Sequence, residues 1–385
     1  GMCVDTSNIV EVEVLPLITN NTISQDQLIC HDELFDDLSG SDPADGDGSY
    51  TFEWISSTDQ FNWVQAEGVI DARDYDPDEN SPDFPGDKYY RRVVRSGYLG
   101  CCVDTSSQVQ LSSLPSIGNN TVSADQTICR DSVPAPLLGS VPDGGDGNNY
   151  SFIWEDSTRT GSWMLIPGAG QSDYNPPALA DTTWYRRIII SSVCDDTSNV
   201  VVINVHPAII NNTISTISGL ADTTICSGQL PNVLAGEAPM GGDGTYFFEW
   251  EYSTDQLTWN PAPGTNDQAD YQPPALTEDT WYRRTVLSGE CAVASNSISI
   301  VVLPLIADNV ISSDQMVCYN TLPGIITGSS PAGGDGGYTY LWEQSTDNIT
   351  WVAAPGNNNS IDYQSPEITE ETFYRRRVFS GQSDC

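Results

Sequence analysis

One short run occurs four times in this chain and sets its organisation. Lys88-Tyr89-Tyr90-Arg91-Arg92, Thr183-Trp184-Tyr185-Arg186-Arg187, Thr280-Trp281-Tyr282-Arg283-Arg284 and Thr372-Phe373-Tyr374-Arg375-Arg376 each lead through an apolar stretch to a Ser-Gly or Ser-Ser turn. A cysteine follows each turn: Cys101 or Cys102, Cys194, Cys291 and Cys385. Aromatic and β-branched residues that alternate faces and stop at a turn read as a strand of a sheet core. The chain is therefore a tandem array of units of roughly 95 residues, near the usual size of one domain, and each can bury its own core.

The order inside each unit repeats as well. A strand ends in Ile-Cys or Val-Cys (Cys30, Cys129, Cys226, Cys318), and a Gly-Asp-Gly turn follows, centred on Asp47, Asp146, Asp243 or Asp335. Next come strands holding Trp54, Trp154, Trp250 or Trp342 and then Trp63, Trp163, Trp259 or Trp351, and an Asp-Tyr pair at Tyr75, Tyr174, Tyr271 or Tyr363. Gly, Pro, Asn and Asp break the strands at short intervals, so the expected fold is all-β, tandem immunoglobulin-like sandwiches in an extended array. The expected repeats are 18–115, 116–207, 208–304 and 305–385. The second cysteine lies past the strand instead of two residues after the Tyr, which suggests a bridge near one pole of the sandwich.

Residues 1–17 fit none of these repeats. Val10, Val12 and Val14 alternate with Glu11 and Glu13 before Pro16, reading as a half-buried closing strand like 107–115, 199–207 and 296–304. The fourth repeat stops short of such a strand. Two readings follow: the segment of one molecule completes the Tyr374 repeat of the next, building a head-to-tail polymer, or the chain is one period of a longer tandem protein.

Charge narrows the partners. Lys plus Arg is 14 against 53 Asp plus Glu, a net charge of −39, which repels nucleic acid and anionic lipid. No apolar run is long enough to insert in a membrane. Eight of the fourteen cations are the repeated Arg pairs, expected to meet Glu53, Glu155, Glu249 or Glu251, and Glu343 across the sheet, with an anionic glycan as the alternative partner. The cysteines are expected to pair within repeats, Cys30 with Cys101 or Cys102, Cys129 with Cys194, Cys226 with Cys291 and Cys318 with Cys385, in an oxidising, extracellular setting. Cys3 and one of the Cys101/Cys102 pair are left for a bridge between repeats or chains, or for a partner in a preceding repeat. Two histidines and no Cys-x-x-Cys speak against zinc and against a catalytic triad, so no enzyme and no cofactor are expected. Calcium is the one metal considered, at Asp45, Asp47, Asp146, Asp243 and Asp335, with a plain hairpin turn as the alternative.

The series Asn-Asn-Thr-Ile-Ser, Thr-Ile-Cys, Gly-Gly-Asp-Gly, Trp-Glu-x-Ser-Thr-Asp, Asp-Tyr-x-Pro-Pro-Ala-Leu and Tyr-Arg-Arg-x-Val-x-Ser-Gly resembles the immunoglobulin-like repeats of large surface adhesins and gliding-motility proteins of Bacteroidetes. The resemblance covers nearly the whole chain. It implies export by the type IX secretion route and assembly on the cell surface as an adhesive or structural filament. It also implies O-glycosylation at Ser or Thr after Asp, at Thr6, Thr105, Ser132 and Thr197. The alternative is a surface module that recognises glycans.

Overall fold

The computed structural model describes residues 1–31, 33–77, 86–158, 161–216 and 222–381, with the side chains of 222 and 223 left aside. Among the described residues the chain is all-β apart from one short 3-10 turn at Tyr98–Gly100. It forms two compact units, 1–126 with 131–205, and 127–130 with 206–385; the first carries repeats one and two, the second repeats three and four.

Each repeat is built on an antiparallel pair. The arginine strand (Gly86–Ser96, Thr183–Ser191, Thr280–Ser288, Phe373–Ser380) lies against the tryptophan strand (Tyr50–Ser57, Ser151–Ser157, Phe247–Ser253, Tyr338–Ser345). In the first three repeats the arginine strand is long enough to hold two partners on its other edge. A return strand (Cys102–Thr105, Cys194–Thr197, Cys291–Ala294) covers one half and a closing strand (Val109–Leu114, Val201–His206, Ile298–Leu303) the other. In repeats one and three a cysteine strand (Gln27–Cys30, Asp222–Cys226) then adds parallel to the closing strand. A second, smaller layer is made of single bridges, such as Ile23 to Gly40 and Leu38 to Tyr75, with equivalents in the other units; in repeat three the first of them widens into a strand pair, Ile214–Thr216 with Leu234–Gly236.

Between the layers sits a column of rings. Trp54, Trp154, Trp250 and Trp342 are fully buried. Each lies 5.5 or 5.6 Å from the following tyrosine, Tyr75, Tyr174, Tyr271 or Tyr363, which in turn meets the tyrosine of the arginine strand. Strand periodicity then splits the Arg pair. In Thr183–Ser191 buried and half-buried residues alternate, so Arg187 shares the inner face with Tyr185 and Ile189 while Arg186 faces outward. The outer arginines make the expected ion pairs, Arg186 to Glu155, Arg283 to Glu251 and Arg375 to Glu343 at 2.6–2.7 Å. In repeat one the pair is instead Arg95 to Glu53, because Ile55 occupies the place opposite Arg91.

The strand expected at 3–17 is not formed. Residues 1–17 carry no secondary structure, and Val10, Val12 and Val14 are 76%, 82% and 87% exposed. The alternation is present in the sequence, but a strand needs a neighbouring edge to bond, and the first sandwich already has its own closing strand, Val109–Leu114.

Candidate assembly site: repeat junctions and an unclosed sandwich

The expected pairing of cysteines within repeats is overturned. Cys30 is bonded to Cys194 and Cys129 to Cys291, so each bridge joins the cysteine strand of one repeat to the return strand of the next. Topology explains the correction. Cys30 lies opposite Leu114, at the far end of the closing strand, whereas Cys102 lies opposite Ser96 at the near end of the return strand. Return and closing strands run on in one direction, so Cys102 and Leu114 stand roughly 30–40 Å apart at the usual rise per residue. A disulfide needs Cα atoms within about 7 Å. The observed Cα separations are 5.1 and 5.4 Å, reached only across a junction.

An apolar cluster surrounds each bridge. Cys30 and Cys194 pack with Leu114, Ile117, Ile189 and Phe152, and Cys129 and Cys291 with Ile209, Val286, Tyr246 and Phe248. Cys226 is also disulfide-bonded. Among the described residues Cys3, Cys101, Cys102 and Cys318 carry free thiols. The expected Cys226–Cys291 and Cys30–Cys101 or Cys102 pairs are thus excluded, and Cys318 is unpaired; Cys385 lies outside the described residues.

Among the described residues, none of repeat four takes the place of the closing strand. Where that strand runs in repeats one to three there is a groove of about 690 Å³, lined by Ile311, Asp314–Cys318, Trp351 and Ile368–Tyr374. Residues 315–318, equivalent to the cysteine strands, pair with nothing in the sheet, and Met316 is fully exposed. Tyr374 is half-buried, whereas Tyr90, Tyr185 and Tyr282 are buried to within 1%. The rings of the complete repeats are covered by two inward side chains of the closing strand: Val109 and Leu111, Val201 and Ile203, or Ile298 and Ile300.

Polar partners are missing from the groove in the same register. Arg92, Arg187 and Arg284 each donate their backbone N–H to a serine hydroxyl, Ser106, Ser198 or Ser295, just before the closing strand. No described residue does this for Arg376. Val122 and Ile214 each exchange two hydrogen bonds with an asparagine, Asn199 or Asn296, and Asp26 and Asp125 accept from the backbone N–H of Gln110 and Val202. Their equivalents in repeat four, Ile311 and Asp314, line the groove.

The second arginine of each pair was not anticipated as an interior residue. Arg92, Arg187 and Arg284 are fully buried and Arg376 is 5% exposed, and none of them forms an ion pair with a described residue. Arg187 donates Nε to Asn120 Oδ1 at 3.1 Å, Nη1 to the Ser172 carbonyl at 2.9 Å and Nη2 to the Ser140 carbonyl at 3.0 Å. Burial pushes all four guanidinium groups below their ordinary value. Parity with the buried Tyr two residues earlier is the sequence signal that identifies them. Each also demands a neighbouring glycine, since a Cβ on Gly40, Gly139, Gly236 or Gly328 would lie 1.7–1.8 Å from the guanidinium Nη1.

The other expected sites fall on surfaces and turns. Asp47, Asp146, Asp243 and Asp335 accept the hydroxyl of Ser96, Ser191, Ser288 or Ser380 at 2.6–3.0 Å, tying the turn to the end of the arginine strand. Asp45 Oδ2 accepts the Thr19 hydroxyl. Among the described residues no three His, Cys, Asp or Glu side chains are grouped to hold a metal. Thr6, Thr105 and Thr197 are exposed and Ser132 half-buried.

Neighbouring tryptophan, arginine-pair and closing strands in one layer, the short bridged strands in the other, and the tryptophan–tyrosine core together define a tandem immunoglobulin-like repeat protein. The chain belongs to a family described as a domain of unknown function, DUF8696, which matches residues 19–114, 118–207, 213–304 and 307–385. No curated protein matches it in sequence. Similar solved structures include a three-immunoglobulin segment of titin, at 8% identity over 76% of this chain and 99% of that one with a TM-score of 0.44. Immunoglobulin domains 1–5 of Sidekick-1 match at 8% identity over 94% and 79%, TM-score 0.30, and extracellular domains 3–5 of Drosophila OTK at 12% over 76% and 98%, TM-score 0.29. The disulfides fit an extracellular protein, and no described helix is long and apolar enough to cross a membrane.

Proposed function

We propose that this chain is a structural subunit of an extracellular bacterial surface filament or adhesin, joined head to tail by insertion of the N-terminal segment of one copy into the fourth repeat of the next. The observation that carries it is the match between groove and segment. Aligned on Cys3-Val4-Asp5-Thr6-Ser7 and Cys102-Val103-Asp104-Thr105-Ser106, Val10 and Val12 take the places of the buried Val109 and Leu111. Ser7 falls where the arginine backbone N–H is capped, Asn8 where Ile311 has its two hydrogen bonds to make, and the Glu11 N–H opposite Asp314. Strand addition supplies main-chain bonds for affinity and alternate side chains for register. A heterologous contact of this kind does not close, so it propagates. Export by the type IX route and a Bacteroidetes-like host rest on the repeat motifs quoted above.

Light scattering over a concentration series tests assembly. Wild-type chain is expected to grow beyond 41.8 kDa with concentration, and Val10→Asp with Val12→Asp to hold it at that mass. A wild-type chain that stays monomeric at every concentration would remove strand donation. The glycan-binding alternative has less support, because the half-exposed tryptophans already carry an arginine 4.2–4.3 Å above the ring, as in Arg186 over Trp163 and Arg283 over Trp259.

A further inference from the structure

The two bridges follow one rule, and two of the four free thiols among the described residues stand at the positions it names. The cysteine beside the last residue of a closing strand bonds to the first residue of the next return strand: Cys30 beside Leu114 to Cys194, and Cys129 to Cys291. In repeat four the thiol at the cysteine-strand position is Cys318, exposed and free. In repeat one the thiol at the return-strand position is Cys102, because Ser96 faces Cys102 as Ser191 faces Cys194 and Ser288 faces Cys291. Cys101 precedes that register by one residue.

A second observation places the two halves together. At the internal junctions the residue before the linker proline packs on the turn that ends the next arginine strand. His206 Nδ1 lies 2.9 Å from a Cβ built on Gly289, and Leu303 Cδ1 3.4 Å from one on Gly381. Leu15 is seated the same way, with Cδ1 2.6 Å from a Cβ built on Gly97, where the Cys101 thiol also lies within 2.8 Å. The near half of a junction is thus preassembled at the start of the chain, complete with the buried Ile18 and Val94 that correspond to Ile117 and Ile189 around Cys194. If residues 9–15 occupy the groove in the register of repeat one, Leu15 falls opposite Cys318 as Leu114 does opposite Cys30.

We propose that Cys318 of one copy and Cys102 of the next form a disulfide that makes the filament joint covalent, on the strand-donation reading given above. The reaction is thiol–disulfide exchange with a small-molecule disulfide as oxidant. The thiolate of one cysteine attacks the oxidant, its S–S bond breaks and one thiol leaves; the second cysteine displaces the other thiol. Two protein thiols are oxidised to one disulfide and the oxidant is reduced to two thiols.

The test uses the whole chain with oxidised glutathione, read by non-reducing denaturing gel beside light scattering under native conditions. Wild type is expected to give a ladder at multiples of 41.8 kDa. Cys318→Ser and Cys102→Ser should each cut the ladder at least tenfold while native assembly persists, and Cys101→Ser should keep the ladder. Native wild-type polymers that fall to single chains on the gel would overturn the covalent joint and leave strand donation standing. Absence of native polymers overturns strand donation itself. A ladder lost in Cys101→Ser and kept in Cys102→Ser overturns the choice of Cys102. A ladder that survives Val10→Asp with Val12→Asp shows cross-linking independent of the inserted strand, and overturns the joint as drawn. In protein taken from cells, a Cys318 peptide joined to sequence outside this chain would overturn a second copy as the partner.

Discussion

At the scale of single residues, the interior arginine is the least expected feature and the most repeated. Arg187 is desolvated, yet three of its donors meet one amide oxygen and two carbonyls, so its direct partners are dipoles, with the Asp173 carboxylate acting on the charge from further off. Truncation to Ala orphans those acceptors and opens a cavity, and calorimetry should register a loss of roughly 3–5 kcal/mol. Gly139→Ala should destabilise the same repeat by driving a methyl into the Arg187 Nη1, while an alanine at the open, distant Gly170 should not. Asp255 gives a pH-dependent counterpart. It accepts from the backbone N–H of Thr258 and Leu257 and from the Ser253 hydroxyl, which lower its pKa to about 2. The folded value is below the unfolded one, so the stabilisation is complete above the ordinary value of 3.8 and disappears as pH falls to about 2. The melting-temperature gap between wild type and Asp255→Ala should therefore close over that window, and a constant gap would refute the assignment.

Among the elements, the sequence pattern located nearly every strand but not every partnership. The Trp and Tyr-Arg-Arg runs pair as expected because aromatic alternation fixes which face is buried, and a one-residue slip would turn Arg186 and Arg187 over together. Residues 3–17 show the limit of that signal. Their alternation states what they could line, while edge availability decides whether they do. The cysteines show another limit, since equal spacing in every repeat fits pairing within repeats and between them alike. Parallel addition of the cysteine strand to the closing strand chooses between the two by putting Cys30 at the wrong pole for Cys102. Replacing Cys30 and Cys194 by Ser should leave the circular dichroism of strands unchanged at 25 °C, because each tryptophan core is complete without them. It should nevertheless lower the midpoint, as the chain-entropy model gives about 5 kcal/mol for so long a loop.

For the molecule as a whole, the bridges overlap along the sequence, Cys30–Cys194 enclosing Cys129 and Cys129–Cys291 enclosing Cys194. A pull on the termini of the oxidised chain therefore runs between Cys30 and Cys291 through about 65 residues instead of about 260, at roughly 3.5 Å each. Single-molecule extension should show a contour gain of several hundred ångströms on adding reductant, and an unchanged contour would exclude the overlapping arrangement. The two bridges fasten repeat one to repeat two and repeat two to repeat three by more than the linker. By itself the sequence determined the number of repeats, the order of the cysteine, tryptophan, arginine and closing segments and the rings of each core, because these follow from local periodicity and turn chemistry. Only the tertiary structure decided which cysteines meet and which distant carbonyls hold the inner arginines, because each depends on which end of a strand lies beside which, and that is a property of chain direction in space.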